Sequence, residues 1–255
     1  MTVIEGSKSF AQAESALPNG VAVMHANSDF VSSHQDERFV VAGFFTPNYL
    51  DYARGFVGNL EQHGIPYHLY AIGDSEWNAA TRYKPSCIQR CRSDYPTRTI
   101  VSMDIDCRVK GPIFESLNVP SDVGLRYAGR FRARRSSCFP STRVTVWNPT
   151  VGAAALLSHW RHLCATAPKA HNDEALLMRA ISETVGASIS AFDPRYAGIE
   201  ANSIWSSDGD VIVHESIHNK ERSTLKKLKH GLRDLRHKAF TCVTGRAYAD
   251  WKYGD

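Results

Sequence analysis

The sequence predicts an α/β fold: a mixed sheet flanked by helices, with a basic amphipathic helix in the C-terminal part of the chain. Three observations predict it. Residues 39–45 form an apolar run closed by Thr46-Pro47. Apolar residues at helical spacing follow, and then a second apolar run at 65–72. That is strand, helix, strand. A third short apolar run, 100–103, ends in Asp104-Ile105-Asp106. After it, strand-like and helix-like segments keep alternating as far as 211–214.

Residues 1–37 are polar and weakly periodic, and read as a lead-in with at most one strand near 21–24. The first strong strand is 39–45. Thr46 is a good helix cap and Pro47 suits a first helical position. Leu50, Ala53, Val57 and Leu60 then recur on one helical face, and Gly64 marks the stop. The strand at 65–72 runs out at Gly73-Asp74. A tight turn after the first strand is how nucleotide-binding α/β sheets are built. The Gly-x-Gly-x-x-Gly and Gly-Lys-Ser/Thr phosphate loops are both missing, so a nucleotide must be held through side chains such as Thr46, Tyr49 and Tyr52. Each tyrosine alone fits equally well as helix packing.

Lys84-Pro85 opens a short helix through Cys91. A lysine at that terminus decorates a surface or neutralises a phosphate. The strand at 100–103 then carries two carboxylates where it should run out, and ligands of α/β sheets bind at such ends. Paired acids repel unless something positive lies beside them. Mg²⁺ or Mn²⁺, with its charge shared by an anionic diphosphate, meets that need. The motif itself is only three residues long and also occurs by chance.

Residues 124–135 hold five arginines among Gly and small residues. They read as a mobile, positively charged loop, either solvated or closing over an anionic ligand. Residues 144–147 are a strand, with Asn148-Pro149 as cap and first turn of the next helix, which buries Leu156, Leu157, Trp160 and Leu163. Asn172 caps a further helix, with Asp173 and Glu174 in its first turn, where acids suit the dipole. Leu176, Leu177, Ala180 and Ile181 carry that helix, and Gly186 ends it. A strand at 187–192 follows. The last strand, 211–214, ends in His214, with Lys220 six residues on. Residues 222–240 form the basic amphipathic helix, suited to packing on the domain, pairing with a partner, or lying on an anionic membrane surface.

Charge places the basicity in the tail. The chain is +4 from 30 basic and 26 acidic residues, but 222–238 alone holds seven Lys/Arg and one acid. Without it the balance is 23 to 25, a net of −2. A nucleic-acid-binding core is therefore not expected. No apolar run approaches the ~20 residues of a membrane span, and residues 1–24 hold no apolar signal-like core. The six cysteines form neither metal-ligand nor disulfide spacing, and reduced thiols in a cytoplasmic protein are the simple account.

Taken together, the order of these pieces from Phe39 to Lys220 resembles the GT-A-fold glycosyltransferases that use nucleotide-diphosphate sugars, the group related to glycogenin and the bacterial lipopolysaccharide galactosyl- and glucosyltransferases. The residues that carry the resemblance are Thr46 with Tyr49 and Tyr52, Lys84-Pro85, Asp104-Ile105-Asp106, Trp147-Asn148, Asn172-Asp173-Glu174, and His214 with Lys220. The resemblance implies a Rossmann-like GT-A domain at 38–221, with 222–255 as a helical tail. It implies Mn²⁺ or Mg²⁺ on Asp104, Asp106 and His214. Thr46 and Tyr52 would hold the nucleoside of a donor, UDP being the usual one. Lys84 and Asp104 would contact the donor, and Lys220 its diphosphate. Asp173 would be the catalytic carboxylate, as general base or as stabiliser of the sugar.

The resemblance implies an acceptor hydroxyl on a glycan, a lipid-linked glycan or a protein. The charge balance speaks against a nucleic-acid partner, the thiols point to a cytoplasmic location, and the tail at 222–240, where it does not pack on the domain or on a partner, suggests peripheral contact with the inner membrane face. The sequence departs from the group after His214, where Ile217 stands for a Gly and Glu221-Arg222 for Pro-Trp; Ser216 is a candidate substitute contact. Two other classes fit parts of the pattern. A haloacid-dehalogenase-type phosphatase uses Asp-x-Asp, but near the chain start and followed by Gly-Thr, not Cys107-Arg108. A non-catalytic membrane- or partner-binding protein needs only a structural ion at the acids.

Overall fold

The computed structural model describes residues 28–73, 77–132, 135–168, 171–196, 199–200 and 209–215. Two expected elements, a strand at 21–24 and the basic helix at 222–240, fall outside them, as do Ser216, Ile217 and Lys220.

The first described strand is the two-residue β1 (Phe30–Val31), so the end of the polar lead-in joins the sheet. Next come β2 (Phe39–Phe45), helix α1 (Leu50–Gln62) and β3 (Tyr67–Ala71). Helices α2 (Trp77–Arg82) and α3 (Lys84–Asp94) lead to β4 (Thr99–Met103). After the Asp-Ile-Asp turn come β5 (Cys107–Val109), α4 (Phe114–Leu117), β6 (Val123–Arg132) and β7 (Arg135–Trp147). The chain continues with α5 (Val151–Thr166), α6 (Asp173–Glu183) and β8 (Ile189–Ala191), then β9 (Ile199–Glu200) and β10 (Ile212–His214).

Seven strands make one mixed sheet in the order β1-β3-β2-β4-β7-β6-β8. β3, β2 and β4 are parallel, β7 is antiparallel to β4 and β6, and β8 is parallel to β6. Both faces are covered, which explains why β2 and β4 are continuous apolar runs rather than alternating ones. Val41, Phe45, Val101 and Met103 pack with Phe56 and Leu60 of α1 on one face. Val40, Ala42 and Ile100 pack with Ile88, Leu156, Trp160 and Leu176 on the other. There Trp147 and Trp160 stack at 5.8 Å. Gly43, in the middle of β2, lies so close to its neighbours that an added Cβ would meet Leu69 Cδ2 at 3.0 Å and the Met103 carbonyl at 3.1 Å.

Three local expectations are corrected. The described part of 124–135 is strand, not loop: 124–132 lie in β6, which pairs with β7 down to Arg132 opposite Arg135. Leu125, Tyr127 and Phe131 alternate with arginines there, which is the period of a strand. Asn148 does not cap α5. It accepts from Thr99 Oγ1 at 2.8 Å and donates to the Val119 and Ser121 carbonyls, while Thr150 caps the helix by accepting from the Ala153 amide. Thr46-Pro47 opens a 3-10 turn, Pro47–Tyr49, with no side-chain cap before α1 begins at Leu50. Gly64 ends α1 at φ +61 and Gly186 follows α6 at φ +85, conformations that favour glycine. Among the described residues no helix is long and apolar enough to cross a membrane.

A small second sheet has the order β5-β10-β9. β10 runs antiparallel to β5, with His214 opposite Cys107, and the Glu215 amide donates to the Asp106 carbonyl at 2.8 Å. This pairing fixes where His214 stands.

Candidate active site

The Asp-Ile-Asp turn lies at the carboxyl end of β4. The Asp104 amide donates to the Arg143 carbonyl on β7, and the Cys107 amide donates back to the Asp104 carbonyl. Both carboxylates are thereby held at the sheet edge. Asp104, Asp106 and His214 each bring a ligand atom within 4.8 Å of the others. His214 is buried, and its Nε2 lies 2.9 Å from Asp106 Oδ1. Neighbouring ligands of an octahedral ion held at about 2.1 Å stand about 3.0 Å apart, so this pair has the spacing of two ligands of one ion. Two carboxylates and an imidazole form a donor set for a divalent cation; the carboxylates suit Mg²⁺ or Mn²⁺, and the imidazole favours the softer Mn²⁺ of the two. His214 Nδ1 is buried without a hydrogen-bond partner among the described residues, which leaves Nε2 as the engaged nitrogen.

Beside this triad is a buried ionic cluster. Lys84, the first residue of α3, is only 8% exposed. Its Nζ lies 2.8 Å from Asp104 Oδ1 and 3.3 Å from Asp173 Oδ2, and donates to Thr142 Oγ1 at 3.1 Å. Thr142 Oγ1 in turn donates to Asp173 Oδ2 at 2.7 Å. Burial works against the ammonium, but Asp104 and Asp173 outweigh it and the pKa of Lys84 is raised. Burial pushes the Asp104 carboxyl up, Lys84 opposes and the like charge of Asp106 adds, and the net direction is upward. The site is thus one in which further positive charge beside the two aspartates is favoured.

Asp173 begins α6. Asn172 caps that helix through its Oδ1 to the Ala175 amide at 3.0 Å. Asp173 itself is buried at 5% exposure, facing Lys84 and Thr142 rather than solvent. Trp160 Nε1 donates to its carbonyl at 3.2 Å, so α5 helps to hold α6 in place.

These groups line one cleft of about 300 Å³, together with Thr46, Tyr49 and Arg143. Of the residues singled out in the sequence, Thr46, Lys84, Asp104, Asp106, Asp173 and His214 come together in it. Tyr52 does not. It lines an adjoining hollow of about 370 Å³ with Asp51, Arg108 and Glu215, which shares Ile105 and Asp106 with the cleft. Lys220 lies outside the described residues. Tyr49 takes the place expected of Tyr52, with the two rings 6.2 Å apart. Sequence reasoning missed Thr142. Nothing in Ser141-Thr142-Arg143 marks it out, and only the pairing of Met103 with Val144 brings it beside the acids.

No protein-family model matches the sequence, and no curated protein matches it. Solved structures do resemble the fold. A glycosyltransferase involved in glycosylation of the major capsid of PBCV-1 superposes with a TM-score of 0.57 at 16% identity, over 76% of this chain and 98% of that one. Weaker likenesses are the glycosyltransferase GlyE of Streptococcus pneumoniae TIGR4, with a TM-score of 0.47 at 12% identity over 73% of this chain and 57% of that one, and the galactosyltransferase LgtC, with 0.41 at 12% over 62% and 74%. The chain has a GT-A-like fold: the seven-stranded mixed sheet, covered by helices on both faces, has the arrangement of the first of these.

Proposed function

We propose that this protein is a metal-dependent glycosyltransferase that moves a sugar from a nucleotide-diphosphate donor, UDP-sugar foremost, to a hydroxyl of a glycan, lipid-linked glycan or protein. One observation carries the reading. The Asp104–Asp106–His214 donor set and the Lys84–Asp173–Thr142 cluster share one cleft at the carboxyl end of the parallel strands. The fold shared with a glycosyltransferase supports it.

Asp104, Asp106 and His214 would hold Mn²⁺ or Mg²⁺. When bound, the ion supplies Lewis-acid stabilisation of charge on the departing diphosphate. Thr46 and Tyr49 line the end of the cleft assigned to the nucleoside, with Tyr52 behind the shared Ile105–Asp106 wall. Lys220 is assigned to the diphosphate. Lys84 keeps Asp104 and Asp173 oriented, a positioning part rather than a direct phosphate contact. Asp173 presents its carboxylate to the sugar, where positive charge develops at the anomeric carbon. The cytoplasmic setting, and contact of 222–240 with the inner face of a membrane, belong to the same proposal.

The test is a thermal-shift screen of nucleoside diphosphates and nucleotide sugars with and without Mn²⁺, on wild type and Asp106→Ala. A ligand that binds only the folded state at a hundred times its Kd adds about 2.7 kcal/mol. The expected result is a UDP-dependent rise in Tm that needs both Mn²⁺ and Asp106, with slow UDP-sugar hydrolysis under the same conditions. A flat response to every nucleotide would overturn the donor-site assignment and leave the binding-protein reading.

A further inference from the structure

The β6–β7 hairpin outruns the sheet that it belongs to. β8 pairs with β6 only as far as Leu125, opposite Ala191, and β4 pairs with β7 only from Val144, opposite Met103. Past the register shift between Leu125 and Arg126, the stretches 126–132 and 135–141 pair with each other. No other described strand pairs with them. A two-stranded ribbon therefore leaves the sheet. Its root is the cleft wall, because Thr142 and Arg143 follow it directly and line the cleft.

The ribbon's charge is one-sided in two senses. From Val123 to Trp147 there are six arginines and no acid. By register, Arg126 stands opposite Ser141, Arg130 opposite Ser137, and Arg132 opposite Arg135. These positions alternate along the strands and so share one face of the ribbon. The positions between them, Tyr127, Gly129 and Phe131, stand opposite Pro140, Cys138 and Ser136, none of them charged. The face leads back to the cleft: burial and the neighbouring Arg143 push the Arg126 guanidinium down, with Asp210 opposing.

Stability does not account for this pattern. A two-stranded ribbon is marginal in water, and like charges directly opposed, as at Arg132 and Arg135, weaken a strand pair. Charge that only blunts sheet edges against aggregation can be of either sign. A stretch with six arginines and no acid of its own, four of them at positions of one face, fits an anion of matching length, because a guanidinium can take a carboxylate or phosphate through two parallel hydrogen bonds.

We infer that the ribbon is a docking arm for an acidic glycan acceptor, one that bears carboxylates or similar anions along the sugar chain entering the cleft. The inference rests on the transferase reading and adds the acceptor's class to it. Asp173 and Arg143 line the same cleft, and Arg126 neighbours Arg143, so the run of arginine positions starts at the cleft wall. The continuity favours a threaded substrate over a membrane surface.

The test measures binding of fluorescein-labelled trigalacturonic acid and of labelled maltotriose to the full chain by anisotropy, at about 50 and about 200 mM salt. Wild type is compared with Arg130→Ser/Arg132→Ser and with Arg130→Glu/Arg132→Glu. Thermal melting checks folding, and the UDP–Mn²⁺ shift reads the donor site separately. The acidic trisaccharide should bind about tenfold or more tighter than the neutral one and weaken with salt. The serine variant should lose most of that difference and the glutamate variant all of it. Equal affinity for the two sugars, or wild-type affinity in both variants, would overturn the arm. So would binding to phosphatidylglycerol vesicles without binding to the trisaccharide. Selective binding of the acidic sugar with no UDP–Mn²⁺ shift would support the arm and overturn the transferase reading.

Discussion

Lys84 Nζ stands 2.8 Å from Asp104 Oδ1, inside the cleft wall. The first residue of α3 is thereby tied to the first acid of the turn after β4. One ammonium answers two carboxylates, because Asp173 Oδ2 lies 3.3 Å from the same nitrogen. The positive charge that two strand-end acids require is in part built into the fold.

Removing that charge should be severe. Lys84→Met leaves Asp104 and Asp173 facing each other in a buried place, and breaking a buried ionic cluster on one side costs about 3–5 kcal/mol. Equilibrium urea denaturation measures it. A loss below about 1 kcal/mol would mean that the cluster is solvated in solution.

Thr142 should behave as a two-way connector. Thr142→Val removes a donor to Asp173 and an acceptor for Lys84, at a cost of about 1–3 kcal/mol. Thr142→Ser keeps the hydroxyl and should recover most of it. The valine and Lys84→Met effects should not add, since both act on one network. Calorimetric melting of the two single variants and the double variant checks this.

Gly43 couples packing to the site. Gly43→Ala would place a methyl against Leu69 and the Met103 carbonyl, and Ile105 Cγ2 lies 3.7 Å from the same point. Overpacking of this kind costs about 1–3 kcal/mol, and relief shifts the Leu69 side chain and the Met103 carbonyl, which precedes Asp104. Mn²⁺ affinity by isothermal titration should fall together with Tm. A lower Tm with unchanged Mn²⁺ affinity would show that the strain is absorbed elsewhere.

His68 gives the fold a pH dependence away from the cleft. Its ring stacks on Tyr70 at 4.0 Å, with Nδ1 3.2 Å from Tyr95 Oη and Nε2 3.4 Å from Asp29 Oδ2. Burial depresses its pKa below the ordinary 6.5, and the nearby aspartates only partly offset this. The unfolded state therefore binds the proton more readily. The stabilising contribution is complete above 6.5 and is lost as pH falls from there through the folded value. Urea midpoints between pH 8 and pH 5 should drop in wild type, and drop less in His68→Gln.

Much of this architecture is legible in the chain. The apolar run 39–45 returns as β2 with the same bounds, because burial on both faces leaves no polar interruption. Leu156, Leu157, Trp160 and Leu163 all lie buried along α5, as their spacing requires. Asp104, Asp106 and His214 were marked out by their places at strand ends. What stayed hidden depends on pairing and on helical phase. The arginines of 124–135 read as a loop because their charge and the Gly and Ser around them mask an alternation of only three apolar residues, which the pairing with β7 makes plain. β5 is three residues long and below the reach of any periodicity. The choice of Tyr52 over Tyr49 for the expected site rests on the resemblance alone; in the structure the chain turns through a 3-10 segment, Pro47–Tyr49, before α1, and Tyr49 lines the cleft while Tyr52 lines the hollow.

The pairing of β10 with β5 has a consequence in time. Asp106 leaves the ribosome roughly a hundred residues before His214. At typical synthesis speeds that is a delay on the order of 5–20 s. Through that interval the nascent chain can form the β2–β4 core and offer its two aspartates, but it has no imidazole to set beside them. The donor set closes only when β10 is laid against β5. A divalent ion held by this set, as proposed, would join two segments from distant parts of the chain.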